Sequence, residues 1–256
     1  MPPAILLIDD DELSRELLGL LLEGEGFAVS ALESGDAALA YVRGGAEPEV
    51  VLADMQMPGT AGSELAMALR KACGPRAVLM AMSASQPAAN VLEGFDCFLL
   101  KPFSGEEFSA ELARLFPRIG RNGIVAGAAR GAGADTARDL DEGIYLKLAE
   151  IIPAEQLDGI YRFALEDLRS RVETMRACAG AGDSDGFRRQ AHAIKGSCSM
   201  LGASRLAQIV TEMEQWQAVS VDTANAALDE FLAASVRLEV ILLVPPTDKA
   251  QNKSDI

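Results

Sequence analysis

Five short apolar runs without polar alternation limit the fold of this chain more than any other feature: Ala4–Ile8 (AILLI), Phe27–Ala31 (FAVSA), Val50–Ala53 (VVLA), Ala77–Met82 (AVLMAM) and Cys97–Leu100 (CFLL). A strand with one wet face alternates, so a run that stays apolar is expected where both faces are covered. Between the runs the spacing turns helical. Leu13, Leu17, Leu18, Leu21 and Leu22 repeat at three and four positions, and Leu65, Met67, Ala68 and Leu69 do so less cleanly. Strands alternating with helices predict an α/β doubly wound, five-stranded parallel sheet, whose ligands bind beyond the carboxyl ends of the strands.

The residues that follow each run are therefore the ones to inspect. They are Asp9, Asp10 and Asp11 after the first, Asp54 after the third, Ser83 after the fourth and Lys101-Pro102 after the fifth. Carboxylates gathered at one sheet edge repel each other unless a cation lies among them. Magnesium suits the position, being a hard cation held by one or two carboxylates plus waters and a phosphate. Asp11 also reads as the N-cap of the leucine-rich helix.

Taken in order, Asp9-Asp10, Asp54-Met-Gln-Met-Pro-Gly59, Ser83-Ala84 and Lys101-Pro102-Phe103 resemble the signature of two-component response-regulator receiver domains, over residues 1–118. The resemblance implies a flavodoxin-like fold with Asp54 as phosphoacceptor. It further implies a magnesium site made by Asp9, Asp10, Asp54 and the backbone carbonyl of Gln56, with Ser83 and Lys101 on the phosphoryl group and Phe98 as a switch aromatic. These roles suit phosphoryl transfer, which is catalysed chiefly by positioning and charge stabilisation. One departure stands out. Ser85 to Leu92, with Pro87 among them, leave room for a fourth helix about one turn shorter than receivers typically have.

Residues 119–139 are rich in glycine and alanine, with Gly120, Gly123, Gly127, Gly131 and Gly133 and no apolar period, and are expected to be a linker. These glycines lack the Gly-Lys-Ser/Thr ending of a phosphate loop, and they do not form Gly-x-Gly-x-x-Gly between a strand and a helix. Beyond them the period is helical. Leu157, Tyr161, Ala164, Leu168, Val172 and Met175 form one stripe, Leu206, Ile209, Val210 and Met213 a second, and Leu228, Phe231, Leu232, Leu238 and Leu242 a third. Together with the helix bearing His192 they predict an all-α antiparallel four-helix bundle over residues 140–244, led by a short helix near Tyr145–Ile151. Pro153 suits a first helical turn, and Gly180 to Ser184 a helix end followed by a start. The polar residues 245–256 are expected to be a disordered tail.

His192 is the only histidine in the chain. On its helix Phe187, Ala191, Ile194, Cys198 and Leu201 form the apolar stripe, which places His192 on the opposite, solvent side. Arg188, Lys195, Gly196 and Ser199 surround it at one-turn spacing. The cations suit a phosphoryl group, and Gly196 leaves room for another protein to approach. The segment from Ala191 to Ala203 (AHAIKGSCSMLGA) is similar to the phosphorylated helix of histidine-containing phosphotransfer (HPt) domains. That similarity implies His192 as phosphohistidine, supported by Lys195 and Gly196.

Charge and composition narrow the partners. A formal charge of −15 opposes binding to nucleic-acid phosphates. No apolar stretch approaches the ~20 residues of a membrane helix, and the start of the chain does not read as a signal segment, so a cytoplasmic protein is expected. The four cysteines, at 73, 97, 178 and 198, lack metal-site spacing and read as small buried thiols. The expected function is a phosphorelay intermediate rather than an enzyme with its own ATP-binding kinase domain. A separate sensor histidine kinase supplies it, and other receiver domains exchange phosphoryl groups with His192. In the alternative, Asp54 gates the bundle as an adaptor or phosphate sink. A metal-dependent hydrolase is disfavoured, because no substrate pocket or second base is evident.

Overall fold

The computed structural model describes residues 3–86, 92–115, 139–243 and 246. The chain divides into two compact units, 1–132 and 133–256.

The first unit runs β1 Ala4–Ile8, α1 Glu12–Gly24, β2 Ala28–Leu32, α2 Gly35–Arg43, β3 Val50–Asp54, α3 Gly62–Cys73, β4 Val78–Ser83, β5 Cys97–Leu100 and α4 Gly105–Leu115. All pairings are parallel, in the order β2-β1-β3-β4-β5. The chain winds outward from β1 to β2 in one direction and from β3 to β5 in the other, so a crevice opens between β1 and β3 at their carboxyl ends. The fully covered strands are β1, β3 and β4, apart from Ala4 at the start of β1. The edge strands β2 and β5 depart from the expectation of cover on both faces. Ala28, Ala31 and Leu100 are exposed because the flanking helices pack over the centre of the sheet. On α1 the expected leucines Leu13, Leu17, Leu18, Leu21 and Leu22 are buried, and Asp11 caps the helix by accepting from Ser14 N at 2.8 Å. The segment 87–91, where the shortened fourth helix was expected, lies outside the described residues.

The second unit contains α5 Glu142–Ile151, α6 Ala154–Ala181, α7 Ser184–Met200, α8 Ser204–Glu214 and α9 Val221–Leu242. Short connections reverse the chain between successive helices, as an antiparallel bundle requires. Helix α7 packs between α6 and α8, and α9 closes the ring against both. Val172, Met175, Phe187, Ile194, Val210, Leu228 and Phe231 fill the centre. One detail differs from expectation: Pro153 is the N-cap of α6 rather than its first turn. Between Gly180 and Ser184 one helix ends and the next begins as expected, α6 closing at Gly182 in a left-handed conformation (φ 72°) that suits glycine and α7 starting at Ser184. The second apolar stripe occupies a helix of just 11 residues, which stops at Gln215.

Gly202 combines a positive φ of 70° with crowding, since a Cβ there would lie 3.1 Å from the Asp141 carbonyl and 3.0 Å from Ile144 Cβ. This close approach lets α5 dock on the α7–α8 turn, where Asp141 N donates to Gly202 O at 2.7 Å. Asp139, expected to be the last linker residue, is tied to α9 by an ion pair with Arg237 at 3.1 Å. Residues 119–138 of the expected linker lie outside the described residues, as does the expected tail apart from Pro246.

Candidate functional site

Strand register assembles the first site. Asp9 N donates to Leu32 O at 3.1 Å, Met55 N to Met82 O at 2.9 Å and Lys101 N to Ser83 O at 2.8 Å. The residues at the ends of β1, β3, β4 and β5 therefore meet at one edge of the sheet. Lys101 Nζ reaches back across that edge and lies 2.6 Å from Asp9 Oδ2 and 2.6 Å from Asp54 Oδ2. Ser14 on α1 joins them, donating from its hydroxyl to Asp9 Oδ2 at 2.7 Å and receiving Lys101 Nζ at 3.2 Å. The second oxygen of Asp9 accepts from Asp11 N at 2.9 Å, and Asp54 Oδ1 accepts from Gln56 N at 2.7 Å.

These groups differ in access. The side chains of Lys101 and Asp9 are 3% and 1% exposed, while that of Asp54 is 11% exposed and Asp10 faces solvent. Burial raises the Asp9 carboxyl, the Lys101 charge opposes that, and Asp54 adds to it. Asp10 is pushed up to about 6, first by burial and then by repulsion from Asp9 and Asp54. Burial alone would depress the Lys101 ammonium, but the Asp9 and Asp54 carboxylates outweigh it and hold the pKa above its ordinary value. One ammonium thus faces three carboxylates.

That imbalance and the hard oxygen donors fit a divalent cation. Magnesium needs only one or two protein carboxylates, so the lack of a ready cage of three ligands among the described residues is compatible with it. Gln56 is exposed beside Asp54. Ser83 is buried with its hydroxyl accepting from Ser85 N at 3.3 Å, and Phe98 is half-buried on β5 opposite Ala81.

The second site is on α7. His192 Nδ1 is 2.6 Å from Glu214 Oε1, and Lys195 Nζ donates to Glu214 Oε2 at 3.0 Å. Glu214 is held at about 2, by its bond to His192 first, against burial and with help from Lys195. The His192 side chain is only 11% exposed, which corrects its expected solvent position. The helical wheel turned it away from the core of α7, but the end of α8 lies over it. Arg188 also differs from the expectation that it surrounds His192. Its guanidinium donates to the carbonyls of Trp216 at 3.0 Å and Gln217 at 3.2 Å and pairs with Asp185. Gly196 is buried, yet a Cβ there would meet nothing within 4 Å. Ser199 is half-buried.

Comparison with known proteins assigns both units. The family model of the response regulator receiver domain matches residues 5–113, and that of the Hpt domain matches residues 159–241. The chain carries a receiver domain and an Hpt domain.

Two DNA-binding response regulators named MtrA, from Mycobacterium tuberculosis and Mycobacterium leprae, are each 36% identical over 124 residues, 48% of this chain and 53% of theirs. The transcriptional regulatory protein CseB of Streptomyces coelicolor is 33% identical over 144 residues, 54% of this chain and 61% of its own. The chain thus spans 53–61% of the length of these relatives. A crystal structure of the response regulator TrrA from Thermotoga maritima in complex with Mg(2+)-BeF is 30% identical and covers 44% of this chain and 98% of its own, with a TM-score of 0.41.

Two residues escape a reading of the sequence alone. In the receiver domain, Ser14 lies one turn into α1 and gives no signal beyond its place three residues after the Asp11 cap. In the Hpt domain, Glu214 lies 22 residues beyond His192 on another helix. Its only trace is a carboxylate one residue past the apolar Met213, near the end of a stripe. The cysteines are free as expected, but only Cys198 is buried, the other three being half-buried. Among the described residues no helix is long and apolar enough to cross a membrane.

Proposed function

We propose that this protein is a two-component phosphorelay intermediate, in which Asp54 accepts a phosphoryl group and His192 exchanges phosphoryl groups with receiver aspartates. The observation that carries the reading is the Lys101 ammonium, 2.6 Å from both Asp9 and Asp54 at the carboxyl edge of a receiver sheet. Asp54 retains an exposed fraction there, while Asp9 is buried. A carboxylate oxygen of Asp54 attacks phosphorus, and the donor leaves with its bonding electrons. Lys101 then turns part of its charge from Asp54 toward the new phosphoryl oxygens, and the Ser83 hydroxyl at the end of β4 supplies a neutral donor. Magnesium, held by Asp10, Asp9, Asp54 and the Gln56 carbonyl, supplies charge neutralisation on those oxygens when bound.

His192 needs no catalytic triad, because an imidazole is nucleophilic near neutral pH. Its phosphoryl donor or acceptor is a receiver aspartate, and a separate histidine kinase feeds the relay. The MtrA relatives bear DNA-binding names, but here the Hpt match fills 159–241, and a net charge of −15 opposes a phosphate backbone. The test is label incorporation from an acyl-phosphate donor with magnesium in wild type, Asp54→Ala and His192→Gln, followed by acid and alkali treatment. Acid-labile, alkali-stable label that needs both residues establishes internal transfer. Label restricted to Asp54 makes the receiver a gate or sink, and no label on either residue refutes the reading.

A further inference from the structure

The Gln56 carbonyl is the ligand of the proposed magnesium site that the backbone rather than a side chain must present, so its aim depends on the loop between β3 and α3. The first end of that loop is anchored beside the site itself: Met55 N donates to Met82 O at 2.9 Å, and Gln56 N donates to Asp54 Oδ1 at 2.7 Å. The last end gains no such anchor from its own helix, because the N-cap of α3 is Ala61, which offers no side-chain acceptor to the first turn.

Helix α2 supplies the missing anchor. Its first residue, Gly35, is buried, and a Cβ there would lie 2.1 Å from Thr60 O, so glycine is what lets the two backbones come this close. The next residue, Asp36, is exposed and reaches over the end of the loop. Its Oδ1 accepts from the Thr60 hydroxyl at 2.9 Å, and its Oδ2 lies 3.3 Å from the place a Cβ would take on Gly59, a residue with φ 79°. The carboxylate therefore sits in the crook of the loop, three residues beyond Gln56. An acidic residue in a first helical turn also suits the helix dipole, but that role needs no partner on another element, and Asp36 has one.

We infer that Asp36 is a positioning residue for the magnesium site: by holding Thr60 it fixes the β3–α3 loop, and with it the direction of the Gln56 carbonyl. The inference rests on the proposed function, which makes that carbonyl a metal ligand. A ligand held by its surroundings is already in place when the ion arrives, whereas a slack one has to be ordered at that moment and binds more weakly.

Gln56-Met57 is the only Gln-Met pair in the chain, so full-length protein carrying carbonyl-13C glutamine and 15N methionine gives a single cross-peak that reports the Gln56 carbonyl. The peak is followed as magnesium chloride is added to wild type, Asp36→Ala, Asp36→Asn, Thr60→Val and the Asp36→Ala/Thr60→Val double variant. The titration midpoint is expected at about three- to tenfold higher magnesium in Asp36→Ala and in Thr60→Val, at or below the low end of what losing an outer partner costs a metal site. The double variant should match either single one, because both remove the same bond. Asp36→Asn keeps a carbonyl acceptor and should return to within about twofold of wild type, whereas a carboxylate acting on the helix dipole alone would not be rescued. Should Asp36→Ala fail to fold, Thr60→Val removes the bond from the loop side and carries the test. An unchanged midpoint on loss of the bond, an Asp36→Asn as weak as Asp36→Ala, or single effects that add in the double variant overturn the inference and leave the proposed function standing. A wild-type peak that does not respond to magnesium instead overturns Gln56 as a ligand in the proposed function, and the inference with it.

Discussion

The bond network of Glu214 makes a pH-resolved stability prediction. In the folded chain its pKa is lowered from 4.5 to about 2, by His192 first and Lys195 further down. At ~1.36 kcal/mol per unit, such a shift is worth at most about 3.5 kcal/mol. The side chain is 21% exposed, so screening reduces the expected value to about 1–2 kcal/mol. For a carboxylate with a depressed pKa, the contribution is complete above the unfolded value and fades as pH falls through the folded one. It should be full above pH ~5 and less than half by pH ~3.

The assay is urea unfolding of wild type and Glu214→Gln, followed by fluorescence at pH ~7 and ~3.5 and through the interval between. The only tryptophan, Trp216, lies in the Hpt domain, so its signal reports that unit alone. The variant should be less stable by about 1–2 kcal/mol at neutral pH, and the two proteins should converge on acidification. A difference that stays constant with pH would refute the argument, because loss of packing alone does not titrate.

Other consequences follow from single contacts. Lys101→Met strands Asp9 with one buried oxygen unpaired by any cation, and should cost the receiver about 3–5 kcal/mol in metal-free unfolding monitored by circular dichroism. Leu18→Ala empties a fully buried position on α1 and should cost about 2–5 kcal/mol in the same unit. Gly202→Ala forces a positive φ and a clash with Asp141 O and Ile144, so the α5 amides should exchange with solvent faster while those of α9 keep their protection.

Much of the receiver was legible because its signal is local. An apolar run followed by an acidic or basic residue places that residue at the carboxyl edge once the strands are parallel, which is why Asp9, Asp54, Ser83 and Lys101 could be brought together from the sequence. Strand order was harder, since nothing in Phe27–Ala31 or Cys97–Leu100 marks an edge, and the exposure of Ala31 and Leu100 appears only with the fold. In the Hpt domain the periodicity that found the helices also misled. A wheel drawn for α7 alone gives His192 to solvent, because the cover comes from α8, a neighbour the wheel does not contain. Arg188 was assigned to phosphoryl charge on spacing, whereas the Trp216 and Gln217 carbonyls at the end of α8 claim it. Contacts between elements far apart in sequence carry no periodic signature, and Glu214 is the residue lost for that reason.

The receiver edge carries a cost that the proposed magnesium site explains. Asp9, Asp10 and Asp54 set three carboxylates beside the Lys101 ammonium, and repulsion from Asp9 and Asp54 adds to the larger effect of burial in pushing Asp10 up. A structural ion-pair network would gain by losing the surplus charge. Asp10 is the carboxylate to remove, since it is exposed and Lys101 is committed to the other two. Asp10→Asn should therefore stabilise the receiver in the presence of a chelator, by up to about 1 kcal/mol given its exposure. The same change should abolish the stabilisation that magnesium gives wild type, which at ten times the dissociation constant amounts to about 1.4 kcal/mol. Thermal unfolding of both proteins with chelator and with magnesium measures the four stabilities needed. If Asp10→Asn is destabilised in chelator, the repulsion does not exist and the case for a cation at this edge fails with it. If the gain appears and magnesium still stabilises the variant, the ion binds without Asp10, and the ligand set reduces to Asp9, Asp54 and the Gln56 carbonyl.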